Sequence, residues 1–284
     1  MREITMKAPA KINWSLDITG KRADGYHLVK MLMQNISLYD EISLFQEEKD
    51  NISCDMPLPL DESNIAFKAW LLLKRELGLR EHLRIKIKKN IPVAAGLAGG
   101  SADAAAVLKG ANLLLGLHLS QKDLMTLGLK LGADLPFCIQ GGCALVQGIG
   151  EIVEPLASWP KQYLVVANPG FAVSTASVYK EFSFASITRH PDTSALEIAL
   201  RQGDVNVIGS LLVNLLENVT LKRYPKAEEL KSEMASLGLY PLMSGSGPSI
   251  FGLAQGETHA FEAVSALNHW PMAVVVHTFD GIIN

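Results

Sequence analysis

Cysteine is scarce in this 284-residue chain: Cys54, Cys138 and Cys143 are all it has. An odd number cannot pair off completely, and the C-x4-C spacing of the last two has no Cys/His pair nearby. A disulfide framework and a zinc site are therefore not expected, and the thiols read as free and buried. No apolar run approaches the ~18 residues of a membrane span, and no charged-then-apolar leader opens the chain, so a cytoplasmic protein without membrane contact is expected. Positive charge is not in excess either. The 26 Lys+Arg face 29 Asp+Glu, for a net charge of -3, and no Lys/Arg tract forms a patch. That removes any general attraction to nucleic acid or anionic lipid, so an anionic ligand must be held locally. Internal repeats and low-complexity segments are also lacking. What is left, 48% hydrophobic and 19% charged, is the composition of a folded globule with room for two domains.

The most informative stretch runs from Pro92 to Ala106, Pro-Val-Ala-Ala-Gly-Leu-Ala-Gly-Gly-Ser-Ala-Asp-Ala-Ala-Ala. Before it, Leu83 to Lys89 alternates apolar and basic side chains, as a half-buried strand does. After it, Ser101 and Asp103 precede an apolar run from Ala104 to Leu115 that stops near Gly116, the pattern of a helix. Gly96, Gly99 and Gly100 permit positive φ and close approach of backbone to a ligand. The first helical N–H groups lack intrahelical partners and stand at the positive end of the helix dipole. Phosphate oxygens fit both features; a plain helix cap is the alternative. There is no Gly-Lys-Ser/Thr ending and no G-x-G-x-x-G spacing, so neither a Walker A loop nor a dinucleotide fingerprint is present.

Around this loop the first 50 residues read as strands over 3–8, 13–19 and 28–45, separated by turns at Gly20 and at Asp24-Gly25. A helix is expected from about Asn64 to Leu77, capped by Ser63 and ended by Gly78. Ser120 to Asp123 resembles a capping box opening a helix to about Leu131, ahead of a strand over 143–147. A Pro/Trp-containing connector at 155–161 marks a domain boundary, placed between residues 158 and 159. Beyond it strands are expected at 163–167, 240–243, 249–254 and 272–277, with helices at 193–201, 204–216, 226–237 and 258–267. With the extra helices set aside the order is βαββαβ, a ferredoxin-like arrangement.

Several polar groups could carry chemistry, each with a plainer reading beside it. Lys11, in Ala8-Pro-Ala-Lys-Ile-Asn13, is a solvated ammonium or a functional cation between two short strands. Asp134, just past a helix end and before Pro136, is a turn or N-cap aspartate or a working carboxylate. Close to a phosphate loop, a cation and a carboxylate suit phosphoryl transfer, in which positioning and electrostatics supply most of the catalysis. Lysine offsets charge on the transferring group while aspartate accepts or orients the hydroxyl proton. Asp24-Gly-Tyr-His27 sets a ring and an imidazole side by side, as a hairpin turn or as a platform for a flat heterocycle. Ser244-Gly-Ser-Gly-Pro248 is a flexible hairpin or a turn whose N–H groups line a cleft.

Taken in order, Pro-Ala-Lys-Ile-Asn at 9–13, the glycine loop, and Gly-Ser-Gly-Pro at 245–248 resemble the GHMP kinase superfamily over essentially the whole chain. The resemblance implies an α+β, two-domain fold: a ribosomal S5 domain 2-like ATP-binding domain at 1–158 and a ferredoxin-like substrate domain at 159–284. It implies ATP as co-substrate, with Mg2+ inferred as the partner of ATP and no dedicated metal ligands. Asp134 would be the base, and Lys11 would orient the hydroxyl while stabilising the γ-phosphoryl. Pro92, Ala94, Gly96, Leu97, Ala98, Gly99, Gly100 and Ser101 would wrap the triphosphate, with Asn64 and Lys89 around the adenosine.

Three segments narrow the resemblance: Gly20-Lys-Arg-Ala-Asp-Gly-Tyr-His27, Leu131-Gly-Ala-Asp-Leu-Pro-Phe137, and Asn168-Pro-Gly170 followed by Ser174-Thr175. They match the branch that phosphorylates the 2-hydroxyl of a cytidine diphosphate-linked methylerythritol for isoprenoid precursor synthesis. Asn13, Tyr26, His27, Asp134, Thr175, Tyr179, Gly245 and Ser246 would then surround that small-molecule acceptor. Tyr26 and Tyr179 would sandwich the cytosine and His27 would read its edge. Two positions depart from the pattern. Ala98 stands where some relatives have glycine and is expected to need only negative φ, and Ala102 lacks a hydroxyl that many relatives have. The alternatives are another small-alcohol kinase, of homoserine or mevalonate type, and a noncatalytic sensor on the same fold. The ring residues speak against the first, and the Lys11–Asp134 pair against the second. A monomer or weak homodimer is expected.

Overall fold

The computed structural model describes residues 2–279. Strands β1 (Glu3–Lys21) and β2 (His27–Glu47) pair antiparallel along almost their whole length. The break expected between residues 8 and 13 is not there. Instead the register shifts between Pro9 and Lys11 and again between Asn13 and Ser15. An irregularity of this kind re-aims side chains on a continuous strand. Ala10 and Lys11 are consecutive and both buried, as the whole run 8–18 is, because this strand is covered on both faces. Lys11 thus projects from the middle of a sheet, not from a loop between strands.

β2 is long enough to serve several partners. Its first half takes β5 (Cys143–Gly148), and its second half takes β4 (His82–Lys88). β3 (Asn51–Cys54) lies parallel to β4, and β6 (Ile152–Pro155) pairs with β5. Helices α1 (Ile65–Leu77), α2 (Gly99–Leu115), α3 (Gln121–Leu129) and α4 (Leu135–Gln140) follow in the same half. The alanines of α2 let it sit close to the sheet: a Cβ on Gly110 would come within 2.8 Å of Leu44 and 3.0 Å of Met6. The cap of α1 is Asn64, not Ser63. The Asn64 side chain accepts from Ala66 N at 2.9 Å, whereas Ser63 is tied back to Asp61. The capping box expected at Ser120 and Asp123 is present.

The second half contains β7 (Tyr163–Asn168), β9 (Tyr240–Met243), β10 (Ile250–Leu253) and β11 (Met272–His277). They form an antiparallel sheet in the order β11-β7-β10-β9, which is the ferredoxin-like order. Helix α9 (Pro225–Ser236) precedes β9, and α10 (Glu257–Ala266) joins β10 to β11. Between β7 and α9 lie α5 (Thr175–Glu181), α6 (Thr193–Gln202), α7 (Val205–Leu211) and α8 (Glu217–Arg223). The helix expected over 204–216 is in fact interrupted. Leu212 turns extended, and Val213–Asn214 forms a short strand, β8, parallel to Ser15 and Leu16 of β1. A segment of the second half therefore joins the sheet of the first, on the strand that carries Lys11. Cys138 and Cys143 are buried thiols outside any disulfide, as expected, whereas Cys54 is only half-buried. No described helix is long and apolar enough to cross a membrane.

Candidate active site

The loop between β4 and α2 is fastened through its carbonyls. Ala94 O accepts from Val173 N (3.1 Å), Ala95 O from Ser249 N (3.2 Å) and Leu97 O from Lys11 N (3.1 Å). Gly96 O accepts twice, from Lys11 Nζ (3.1 Å) and from Ser244 Oγ (3.0 Å). With four consecutive acceptors engaged by protein, what the loop offers an anion is the N–H groups of the first turn of α2, which no helical carbonyl can reach. Gly96 has φ of +79°, and a Cβ there would lie 2.1 Å from Ser244 O, so only glycine fits. Gly99 and Gly100 have ordinary φ, contrary to expectation. Gly99 is required for space, since a Cβ there would come 2.9 Å from Ile91, whereas a Cβ on Gly100 would meet only the Ile65 side chain at 3.3 Å.

Ala98 overturns its expectation in the opposite sense. It has φ of 57°, and Ala94 has φ of 51°, both left-handed. Each such residue costs about 1–2 kcal/mol. Ala98 is held there as the N-cap of α2, which starts at Gly99 rather than after Asp103; its carbonyl accepts from Ala102 N at 2.9 Å. Ala102 itself is buried, so the missing hydroxyl would not have faced the cleft.

Lys89 does not line the cleft. Its side chain is 4% exposed, and its ammonium lies between Asp40 and Asp103, 2.8 Å from the latter. Asp40 also accepts the backbone N–H groups of Asn90 (2.6 Å) and Ile91 (2.8 Å). Asp40 thus holds the entry of the loop, while Asp103 sits in the first turns of α2. Burial, opposed by the Lys89 ammonium and reinforced by the Asp40 charge, pushes the Asp103 carboxyl up to about 8. A proton on Asp103 leaves the buried group neutral, one carboxylate against one ammonium. Asn64 is likewise committed elsewhere: besides capping α1 it donates to Pro59 O at 3.0 Å. Leu97 is buried in the core and Pro92 is half-buried, and neither lines the cleft.

The other residues singled out in the sequence share one cleft of about 910 Å³: Lys11, Asn13, Tyr26, His27, Ala94, Gly96, Ala98, Gly99, Gly100, Ser101, Asp134, Thr175, Tyr179, Gly245 and Ser246. Lys11 Nζ donates to Asn13 Oδ1 at 2.8 Å and to Gly96 O, which leaves one of its three hydrogens for the cleft. Asn13 is fully buried, so it anchors the lysine from below. Asp134 is the N-cap residue of α4, a helix the sequence did not disclose, yet its side chain makes no capping bond and is left for the cleft. The residue before it is backed by the β5–β6 turn, where a Cβ on Gly150 would lie 2.8 Å from Ala133 O. Opposite, Gly245 has φ of 54°, and a Cβ there would come 3.2 Å from Lys11 Nζ.

At the far end His27 stands 5.4 Å from the ring of Tyr179, with Phe182 at 6.0 Å and Phe184 at 6.2 Å. Burial, with Lys21 adding to it, lowers His27, so its imidazole is neutral at neutral pH and offers one donor and one acceptor. Burial and the Asp134 charge push the Tyr179 phenol up, which keeps it a donor. Tyr26 is 61% exposed and Phe184 45% exposed, so this wall has unfilled apolar surface. Thr175 Oγ1 is 2.8 Å from Ser246 Oγ, closing the wall against the Gly-Ser turn. Phe182 and Phe184 were missed in the sequence, where a Phe-x-Phe spacing was their one sign. Among the described residues no group of three or more His, Cys, Asp or Glu side chains is placed to hold a metal ion.

A glycine-loop helix start meeting a lysine and an uncapped aspartate, over an S5-like half and a ferredoxin-like half, is the architecture of small-molecule kinases. The chain belongs to the GHMP kinases: residues 64–142 match the GHMP kinases N terminal domain and residues 196–271 match GHMP kinases C terminal. Within that family it is 49% identical over 254 residues to a 4-diphosphocytidyl-2-C-methyl-D-erythritol kinase of Clostridium botulinum (strain Eklund 17B / Type B), covering 88% of this chain and 90% of the relative. The kinase of the same name from Caldicellulosiruptor saccharolyticus is 42% identical, with 96% of each chain covered. A crystal structure of 4-(cytidine 5'-diphospho)-2C-methyl-D-erythritol kinase superimposes with a TM-score of 0.85 at 34% identity, over 98% of this chain and 100% of that one. Homoserine kinase from Cytophaga hutchinsonii, at 21% identity and a TM-score of 0.73, shares the fold.

Proposed function

We propose that this chain transfers the γ-phosphoryl group of ATP to the 2-hydroxyl of 4-diphosphocytidyl-2-C-methyl-D-erythritol, a step in isoprenoid precursor synthesis. ADP and the 2-phosphate are the products. The observation that carries the reading is the convergence on one carbonyl. Gly96 O of the glycine loop accepts from Lys11 and from Ser244, so the three family segments meet where a phosphoryl group would pass. The ring cluster on His27 lies at the end of the same cleft. A flat base can stack there, which a small aliphatic alcohol cannot do, so homoserine and mevalonate are disfavoured as acceptors.

In the reaction the amides at the start of α2 hold the triphosphate, and the remaining Lys11 hydrogen faces the transferring group and offsets its charge. Asp134 accepts the hydrogen bond of the acceptor hydroxyl and takes its proton as the new O–P bond forms and the bond to the leaving ADP oxygen breaks. Mg2+ would come bound to ATP, since no acidic cluster among the described residues would hold a resident ion; Ser101, at the start of α2, would contact it, and the ion would neutralise phosphate charge. The protein acts in the cytoplasm as a monomer or weak homodimer, without nucleic-acid or membrane partners. Its ATP-binding domain ends at residue 158 and its acceptor domain begins at 159. The test is ATP consumption measured in parallel with the cytidylyl acceptor, mevalonate and homoserine. Turnover is expected with the first alone; turnover with either small alcohol would reassign the acceptor, and turnover with none would leave a noncatalytic sensor.

A further inference from the structure

The cleft depends on a segment that no sequence motif pointed to, residues 213–220. On one side this segment belongs to the strand that carries Lys11. Val213 and Asn214 lie parallel to Ser15 and Leu16, and Leu215 N donates to Leu16 O at 3.0 Å. On its other side it holds the Gly-Ser turn. Asn214 Nδ2 donates both its hydrogens, to Met243 O at 2.7 Å and to Gly245 O at 2.8 Å, while its Oδ1 accepts from Leu216 N at 2.9 Å. Thr220 Oγ1 donates to Ser246 O at 3.1 Å, and Glu217 accepts from Met243 N at 2.9 Å.

Asn214 is 4% exposed and Thr220 fully buried, so water cannot replace these bonds. The planar amide sets the two carbonyls at a defined separation, and Gly245 is the residue whose backbone closes on Lys11 and Gly96. Given the kinase reading above, on which it rests, we infer that Asn214 is a positioning residue for the transfer: it fixes the Gly245–Ser246 turn against the strand that presents Lys11. It does not line the cleft. Its role is to keep the Lys11 ammonium, the Gly96 carbonyl and the turn in one arrangement while the acceptor is bound.

The sharpest test is Asn214→Asp, which keeps the shape but cannot donate, so the carbonyls of Met243 and Gly245 lose their partner. A displacement of about 1 Å at the reacting group lowers turnover by about 100-fold, and that fall in kcat is the expected result, with ADP affinity close to that of the parent chain. Thr220→Val removes only the bond to Ser246 O and should lower kcat in the same direction by a smaller factor, with a melting temperature lowered by a few degrees and the fold retained. It therefore decides the matter if the Asn214 variant does not fold. Parent-like kcat in both variants, or a loss of kcat that only tracks the folded fraction, would overturn the inference. Because each variant is compared with an active parent, inactivity of the parent itself would strike the kinase reading and not Asn214.

Discussion

The two ends of the cleft are built by different means. The end proposed for the phosphates is held by buried ionisable groups and by backbone: Asp40, Lys89 and Asp103 beneath the loop, four engaged carbonyls, and two alanines kept left-handed. The end proposed for the acceptor is a wall of rings, several part-exposed, with hydroxyls at its edge. A triphosphate carries dense charge and needs donors fixed before it arrives, because reorganising them at the moment of reaction would cost transition-state stabilisation. A base and a sugar alcohol are recognised by area and a few directed bonds, which tolerate some adjustment. Rigidity is concentrated where charge moves.

Substitutions can break this contrast in order of expected size. Asp134→Asn sits where the two ends meet and removes the proposed proton acceptor; kcat should fall by about 10²–10⁴-fold with nucleotide binding intact, read by steady-state kinetics and ADP titration. Lys89→Met should act through stability, because it strips the cation from two buried carboxyls. A loss of about 3–5 kcal/mol is expected in denaturant unfolding. A mere weakening of ATP affinity without that loss would return Lys89 to the adenosine pocket. At the acceptor end, Tyr179→Ala should weaken the cytidine-bearing acceptor by about 1–3 kcal/mol, leaving ATP affinity and fold stability near parent values.

Two smaller effects refine the phosphate end. An ordinary aspartate ionises near 3.9, whereas native Asp103 keeps its proton up to about 8. Between those values the native state binds more protons than the unfolded chain, so this site makes stability fall as pH rises through the window. Asp103→Asn, which imitates the protonated form, should flatten that slope in unfolding experiments at about pH 5 and about pH 8; an undiminished slope would remove Asp103 as its source. Ala98→Gly should raise stability by up to about 1 kcal/mol, since glycine accepts φ of 57° without strain. A decrease would mean that the alanine methyl contributes more by packing than its backbone loses.

Much of this was legible in the residues. Local rules placed the strand before the glycine loop, the helix after it and its stop at Gly116, and also the capping box at Ser120 and the four strands of the second sheet. Each of these depends on neighbours a few positions away. The failures share a different cause. β1 runs through residues 8–13 because β2 pairs with it across that gap, and β8 interrupts an apparent helix because β1 offers it an edge. Lys89 resembled a ligand-facing lysine until Asp40, 49 residues earlier, was found beside it.

The chain by itself determined the chemistry available: a glycine loop shaped for phosphate, a lysine, an aspartate, and aromatic residues able to take a base. It also determined the order of elements, because periodicity, caps and turn residues act locally. Only the tertiary structure decided which of those groups face the cleft, since that depends on contacts between residues tens to hundreds of positions apart. It turned Lys89 and Asn64 inward, forced Ala98 left-handed, and brought Ser244 and Lys11 onto the single carbonyl of Gly96.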